Sequence, residues 1–145
     1  MARPSSATPQ RLILDSGAVI ALARAEQRAV AFLRRAVEVD AEVIIPVVVL
    51  AETLRGGPRD AAVNRVVNAV GDIEATLPDV GRVAGRLLGR AKRAATVHAM
   101  VVAEAVARGG GQVLTGDPAD LTPLAENERR VTIHALASRR RGRPR

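Results

Sequence analysis

Three acids stand where strands end or a helix begins. Asp15 closes the apolar run Leu12-Ile13-Leu14, Glu52 sits in Val47-Val48-Val49-Leu50-Ala51-Glu52, and Asp117 follows Val113-Leu114-Thr115-Gly116. Acids so far apart in the chain, each delivered by a regular element, can converge on one point. Several carboxylates crowded together repel one another, and a hard divalent cation with oxygen ligands relieves that repulsion. Such an ion can hold a phosphate oxygen, lower the pKa of a water and orient it for in-line attack on phosphorus. Ser16 and Thr115 stand beside two of the acids and can orient carboxylates by hydrogen bonds, and Asp120 is an outer candidate.

The elements that must position these acids follow from the apolar pattern. Residues 12–14 read as a short strand, and Asp15-Ser16-Gly17 doubles as a helix-start signal before Ala18. Val30, Phe32, Leu33, Ala36 and Val37 recur at helical spacing within residues 27–39. Residues 43–45 read as a buried strand ended by Pro46, and the helix carrying Glu52 stops near Gly56-Gly57-Pro58. A helix is expected over 59–70, a weak strand over 73–77, and a helix from Pro78 with Val80, Val83, Ala84 and Leu87 on one face. An apolar helix over 96–108 ends at Gly109-Gly110-Gly111. A strand over 112–115, a turn and short helix over 118–126, and a last strand over 131–134 complete the pattern. Short strands, apolar on both faces and alternating with helices, predict an α/β protein: a three-layer α/β/α sandwich around a parallel sheet of four to five strands. In such sheets functional groups gather at the carboxyl ends of strands, where Asp15 and Asp117 fall.

The chain of 145 residues carries a net charge of +7, from 22 Lys and Arg against 15 Asp and Glu, nearly all the cations being Arg. Arg forks match phosphate oxygens, so the balance favours a polyanionic partner. Phe32 is the one aromatic side chain among Phe, Tyr and Trp, so bases have no stacking platform and phosphate contacts must carry nucleic-acid affinity. Absence of Cys excludes disulfides and thiolate metal sites. No run reaches signal-peptide or membrane-spanning length, which makes a cytoplasmic location the expectation. Residues 1–10 read as a mobile leader, 11–136 as the domain, and 137–145 as a basic disordered tail.

At Leu14-Asp15-Ser16-Gly17-Ala18, Leu50-Ala51-Glu52 and Val113-Leu114-Thr115-Gly116-Asp117-Pro118-Ala119-Asp120-Leu121 the chain resembles a PIN domain, and more closely the small stand-alone PIN toxins of the VapC type. The resemblance spans residues 11–136. It implies an endoribonuclease dependent on Mg²⁺ or Mn²⁺, held inactive by a cognate antitoxin protein, with RNA as substrate and a homodimer as the expected assembly. It also implies that Asp15, Glu52 and Asp117 bind or position the metal, directly or through water. The family carries a further acid near the start of its penultimate long helix, and here His98 takes that place. Imidazole removes a negative charge and offers a borderline nitrogen for a hard oxygen, disfavouring Mg²⁺ more than Mn²⁺. Weakened Mg²⁺ binding and reduced or absent cleavage follow. Glu104, six residues further along the helix, lies off the His98 face and cannot stand in.

Plain structural roles compete with each assignment. Asp15 can cap a helix, Asp117-Pro118 can be a turn, and Glu52 can be a solvated helix position. Taken singly these are as good as the functional readings; taken together, in family order and spacing, the acids favour a site. His98 is as readily a satisfied helix-start histidine as a ligand, and His134 reads as structural. Most Arg residues solvate helix faces, with Arg90, Lys92 and Arg93, just before the His98 helix, the candidates for the RNA backbone. The apolar stripes over 18–39 fit core packing, a dimer face or an antitoxin groove. The tail's Arg-Gly-Arg-Pro resembles an AT-hook. Two alternatives to the nuclease remain: a catalytically inactive PIN module that binds antitoxin or RNA, and a DNA-binding regulator using the tail, disfavoured because no dedicated DNA-reading motif is visible.

Overall fold

The computed structural model describes residues 10–70, 73, 75–92 and 94–137. Residues 1–9 of the expected leader (1–10), residues 138–145 of the expected tail (137–145) and Arg93 lie outside the described residues. The element order is β1 (Arg11–Leu14), α1 (Ser16–Ala23), α2 (Gln27–Glu38), β2 (Glu42–Ile44), α3 (Val47–Thr53), a 3₁₀ turn (Pro58–Asp60), α4 (Ala61–Val70), α5 (Pro78–Ala91), α6 (Thr96–Ala107), β3 (Gly111–Thr115), α7 (Pro118–Ala125) and β4 (Val131–Ala135). The four strands form one sheet in the order β2-β1-β3-β4, parallel throughout. It is an α/β sandwich of the expected class.

The central strands are apolar on both faces because helices cover both. Ile13, Leu14, Val113 and Leu114 are fully buried, as are Val101 and Val102 of α6 and Val19 of α1. Each large aliphatic side chain so buried contributes about 1.5 to 3 kcal/mol. Breaks fall where residue chemistry demands them. Pro78 and Pro118 open α5 and α7 at the first turn, where the missing N–H costs nothing. Gly110, after α6, has φ +122°, and a Cβ there would stand 2.7 Å from the Arg130 carbonyl oxygen; only glycine meets both conditions.

Of the expected strand over 73–77, the described residues 73 and 75–77 are irregular. Leu77 is 63% exposed, so the alternation there faces no core and the segment serves as a connector between α4 and α5. Arg59 likewise lies in the 3₁₀ turn, with α4 beginning only at Ala61. Buried Asp60 explains the break, since its carboxylate accepts the backbone N–H groups of Arg55 and Gly56 and ties the turn closed.

The amino ends of the strands are held by a buried ionic network. Arg11 Nε donates to Glu42 (2.9 Å) and its Nη1 to the carbonyls of Arg108 and Gly110, while Arg108 grips Glu104 at 3.0 Å. Glu104 is 3% exposed. Its charge is committed at the α6 end remote from His98, consistent with its exclusion as a substitute acid.

Candidate active site

β1 and β3 are neighbours in register, Leu14 beside Leu114, so the residues that end them are brought side by side. Asp15 caps α1 with extended dihedrals, its Oδ1 accepting the Ser16 backbone N–H at 2.8 Å. Its Oδ2 accepts the Thr115 hydroxyl proton at 2.6 Å. The same Thr115 oxygen accepts the Asp117 backbone N–H at 2.9 Å. One buried hydroxyl therefore fixes a carboxylate on one strand and the turn that carries a second acid on the next. Close approach of the two turns depends on Gly17, where a Cβ would stand 2.9 Å from the Gly116 nitrogen.

Glu52 joins from α3: the Ser16 hydroxyl donates to its Oε1 at 2.5 Å. His98, near the start of α6, places Nε2 4.0 Å from Asp117 Oδ2. The carboxylates differ sharply in setting. Asp15 is 3% exposed, while the Asp117 side chain is 63% exposed. Burial pushes the Asp15 carboxyl above its ordinary pKa, opposed by the Thr115 hydroxyl, the Ser16 N–H and His98, and reinforced by the Glu52 charge. Asp15 is thus a carboxylate short of positive charge, the condition a cation would relieve.

Asp15, Glu52, Asp117 and His98 are thus joined by one chain of contacts, with Ser16 and Thr115 as the linking hydroxyls. Among the described residues, however, no group of three or more His, Asp or Glu is close enough to hold a metal ion. By donor type the set fits a divalent cation, with hard carboxylate oxygens from three elements. By spacing, Asp15 is the preset member, and the exposed arms of Glu52 and Asp117 must turn inward to join it. Asp120 is exposed in the first turn of α7. Arg90 pairs with Glu128 at 3.5 Å, and Lys92 closes α5 in a left-handed conformation; among the described residues neither bonds to Asp15, Glu52 or Asp117. The residue that sequence reasoning placed only among solvated cations is Arg28, whose Nε donates to the Ala135 carbonyl at 2.8 Å. The one available signal was its place four residues before Phe32, one helical turn away.

No protein-family model matches the chain, and no curated protein matches it significantly. Solved structures do match. The chain is similar to FitAB bound to an IR36 DNA fragment, with TM-score 0.65 and 18% identity over 86% of this chain and 94% of that one. It is similar to FitAcB from Neisseria gonorrhoeae, with TM-score 0.57 and 16% identity over 86% and 97%. DNA-bound VapBC from Salmonella typhimurium gives TM-score 0.61 and 14% identity over 88% and 99%. These likenesses show a PIN-like α/β fold.

Proposed function

We propose that this chain is the toxin half of a toxin-antitoxin pair and a Mg²⁺- or Mn²⁺-dependent endoribonuclease weakened by His98. The observation that carries the reading is the Thr115 hydroxyl bridging Asp15 and the Asp117 turn, which gathers acids from the ends of two neighbouring strands. Asp15, Glu52 and Asp117 are the residues that would hold the ion. When bound, it supplies positive charge to a phosphodiester and acidifies a water. The protein's part is positional. Thr115 and the Ser16 N–H fix Asp15, the Ser16 hydroxyl holds Glu52, and the buried floor under Asp15 excludes bulk water from one side.

His98 alters this chemistry in either protonation state. Protonated, it attracts the Asp117 carboxylate 4.0 Å away and competes with a cation for it. Neutral, it presents a nitrogen that Mg²⁺ accepts poorly. Cleavage is therefore expected to be slow with Mg²⁺ and faster with Mn²⁺.

The partner reading draws on the similar structures, which are two-component assemblies, FitAB and VapBC, described as bound to DNA. By analogy this chain pairs with a cognate antitoxin that supplies the DNA contact, and it dimerises. A shallow groove of about 330 Å³ between α1, α2 and α4, lined by Leu22, Val30, Leu33 and Val66 among others, is the apolar surface available to such a partner. Among the described residues no helix is long and apolar enough to cross a membrane.

A second reading, a PIN module that binds antitoxin or RNA without cutting, rests on His98, which stands where an acid is expected and puts an imidazole nitrogen 4.0 Å from Asp117. Incubation of a cellular RNA pool with the purified chain in Mg²⁺, Mn²⁺ or EDTA decides between them. The nuclease reading expects cleavage in Mn²⁺ that EDTA and Asp15→Asn both abolish; cleavage that survives Asp15→Asn is contamination, and none in any metal favours the binding module.

A further inference from the structure

Beside the acids lies a cavity that the chemistry above leaves unused. It is an open groove of about 560 Å³ lined chiefly by Arg28, Pro118, Ala119, Pro123, Ala135 and Ala137. Pro118 directly follows Asp117, so the cavity opens one residue from the acid site. Its walls are small and apolar. The hydroxyl of Thr122, also in the wall, is committed to the Pro118 carbonyl at 2.6 Å, which leaves Arg28 as the charged group of the cavity.

Arg28 is held in place on two sides. Its Nε donates to the Ala135 carbonyl at 2.8 Å, and its guanidinium carbon lies 5.4 Å from the centre of the Phe32 ring. Phe32 in turn packs on His134, ring centres 5.1 Å apart. Among the described residues no carboxylate pairs with Arg28. A guanidinium anchored through Nε keeps both terminal amino groups, the fork that grips phosphate oxygens. Prior anchoring also reduces the entropy lost on binding.

We infer that Arg28 and this cavity bind the nucleotide adjoining the cleaved bond, the guanidinium taking its phosphate and the apolar wall its sugar and base. The inference rests on the ribonuclease reading and deepens it. An ion held by Asp15, Glu52 and Asp117 would serve the phosphate of the cleaved bond, so the adjoining phosphate needs a second cation, and Arg28 supplies it. With small aliphatic walls in place of stacking aromatics, the phosphate contact dominates and affinity must depend on salt.

The test is fluorescence anisotropy of a labelled random-sequence single-stranded RNA with the full chain, Ca²⁺ replacing Mg²⁺, across a salt series. Arg28→Gln is expected to weaken binding about tenfold and to flatten the log-log salt dependence by roughly 0.7, the value for one lost single-strand phosphate contact. Because Arg28 also braces Ala135, thermal melts accompany the titrations. Ala119→Glu, at an exposed cavity position, adds a repelling charge without touching the brace and should weaken binding comparably. Arg86→Ala, on the exposed face of α5, should leave it unchanged. Wild-type affinity in both cavity variants overturns this subsite while leaving the ribonuclease reading intact. Absence of RNA binding by the wild type overturns both.

Discussion

The Thr115 hydroxyl donates to Asp15 Oδ2 at 2.6 Å across two neighbouring strands, and the same oxygen receives the Asp117 N–H. Thr115 is fully buried, so Asp15 has no water to take its place there. Thr115→Val keeps the shape and removes the hydroxyl. It should cost about 2 kcal/mol of stability, the range for a lost hydrogen bond to a charged group, read by denaturant unfolding. Thr115→Ser should recover most of it. Equal stability of Val and wild type would show that the hydroxyl does not hold Asp15.

Gly17 makes a second, steric prediction. Its Cα approaches the Gly116 backbone so closely that an added side chain must displace the β3–α7 turn. Gly17→Val should destabilise by about 1 to 3 kcal/mol, as overpacking does, and should move Asp117 away from Asp15. The check is a melt together with metal titration of the folded fraction. An undisturbed melt would mean that the turns can separate freely.

His134 sets a pH dependence. Burial, then the charge of Arg28, lowers its pKa in the folded protein. The unfolded chain therefore takes up this proton first. Stability is fully present above the unfolded value of about 6.5 and declines as pH falls through it toward the lower folded value. His134→Phe retains a ring against Phe32 without a titrating group, so its unfolding free energy should vary less between pH 7.5 and roughly pH 5. Parallel curves for the two proteins would remove His134 as the source.

Much of this arrangement was legible in the chain because the acids mark strand ends. An apolar run stopped by Asp15-Ser16-Gly17 or by Gly116-Asp117-Pro118 carries both its strand and its turn in a few residues. Ile73 to Leu77 shows the limit: its apolar residues suggest a strand, but burial depends on whether the sheet has room beside it, which is a tertiary matter. The roles of Arg28 and of the Arg11–Glu42–Arg108–Glu104 network were hidden for a related reason. Arg11–Glu42, Arg11–Arg108 and Arg28–Ala135 stand 31, 97 and 107 residues apart, beyond any local pattern; Arg108–Glu104 alone is a local, one-turn pair. The spacing of His98 from Asp117 was also invisible, although the identity of His98 was the clearest warning in the sequence about activity.

That warning defines the most direct measurement: cleavage of a cellular RNA pool by the wild type and by His98→Asp, each with Mg²⁺, Mn²⁺ or EDTA. Restoring the acid adds a hard oxygen ligand and removes the competitor for Asp117. EDTA-sensitive cleavage by His98→Asp in Mg²⁺ is expected, at least tenfold faster than by the wild type, on the order of the 10- to 100-fold effects seen for residues that support metal ligands, with a smaller gap in Mn²⁺. Silence from a folded, metal-binding His98→Asp variant free of antitoxin would contradict that expectation and leave a PIN fold that binds without cutting.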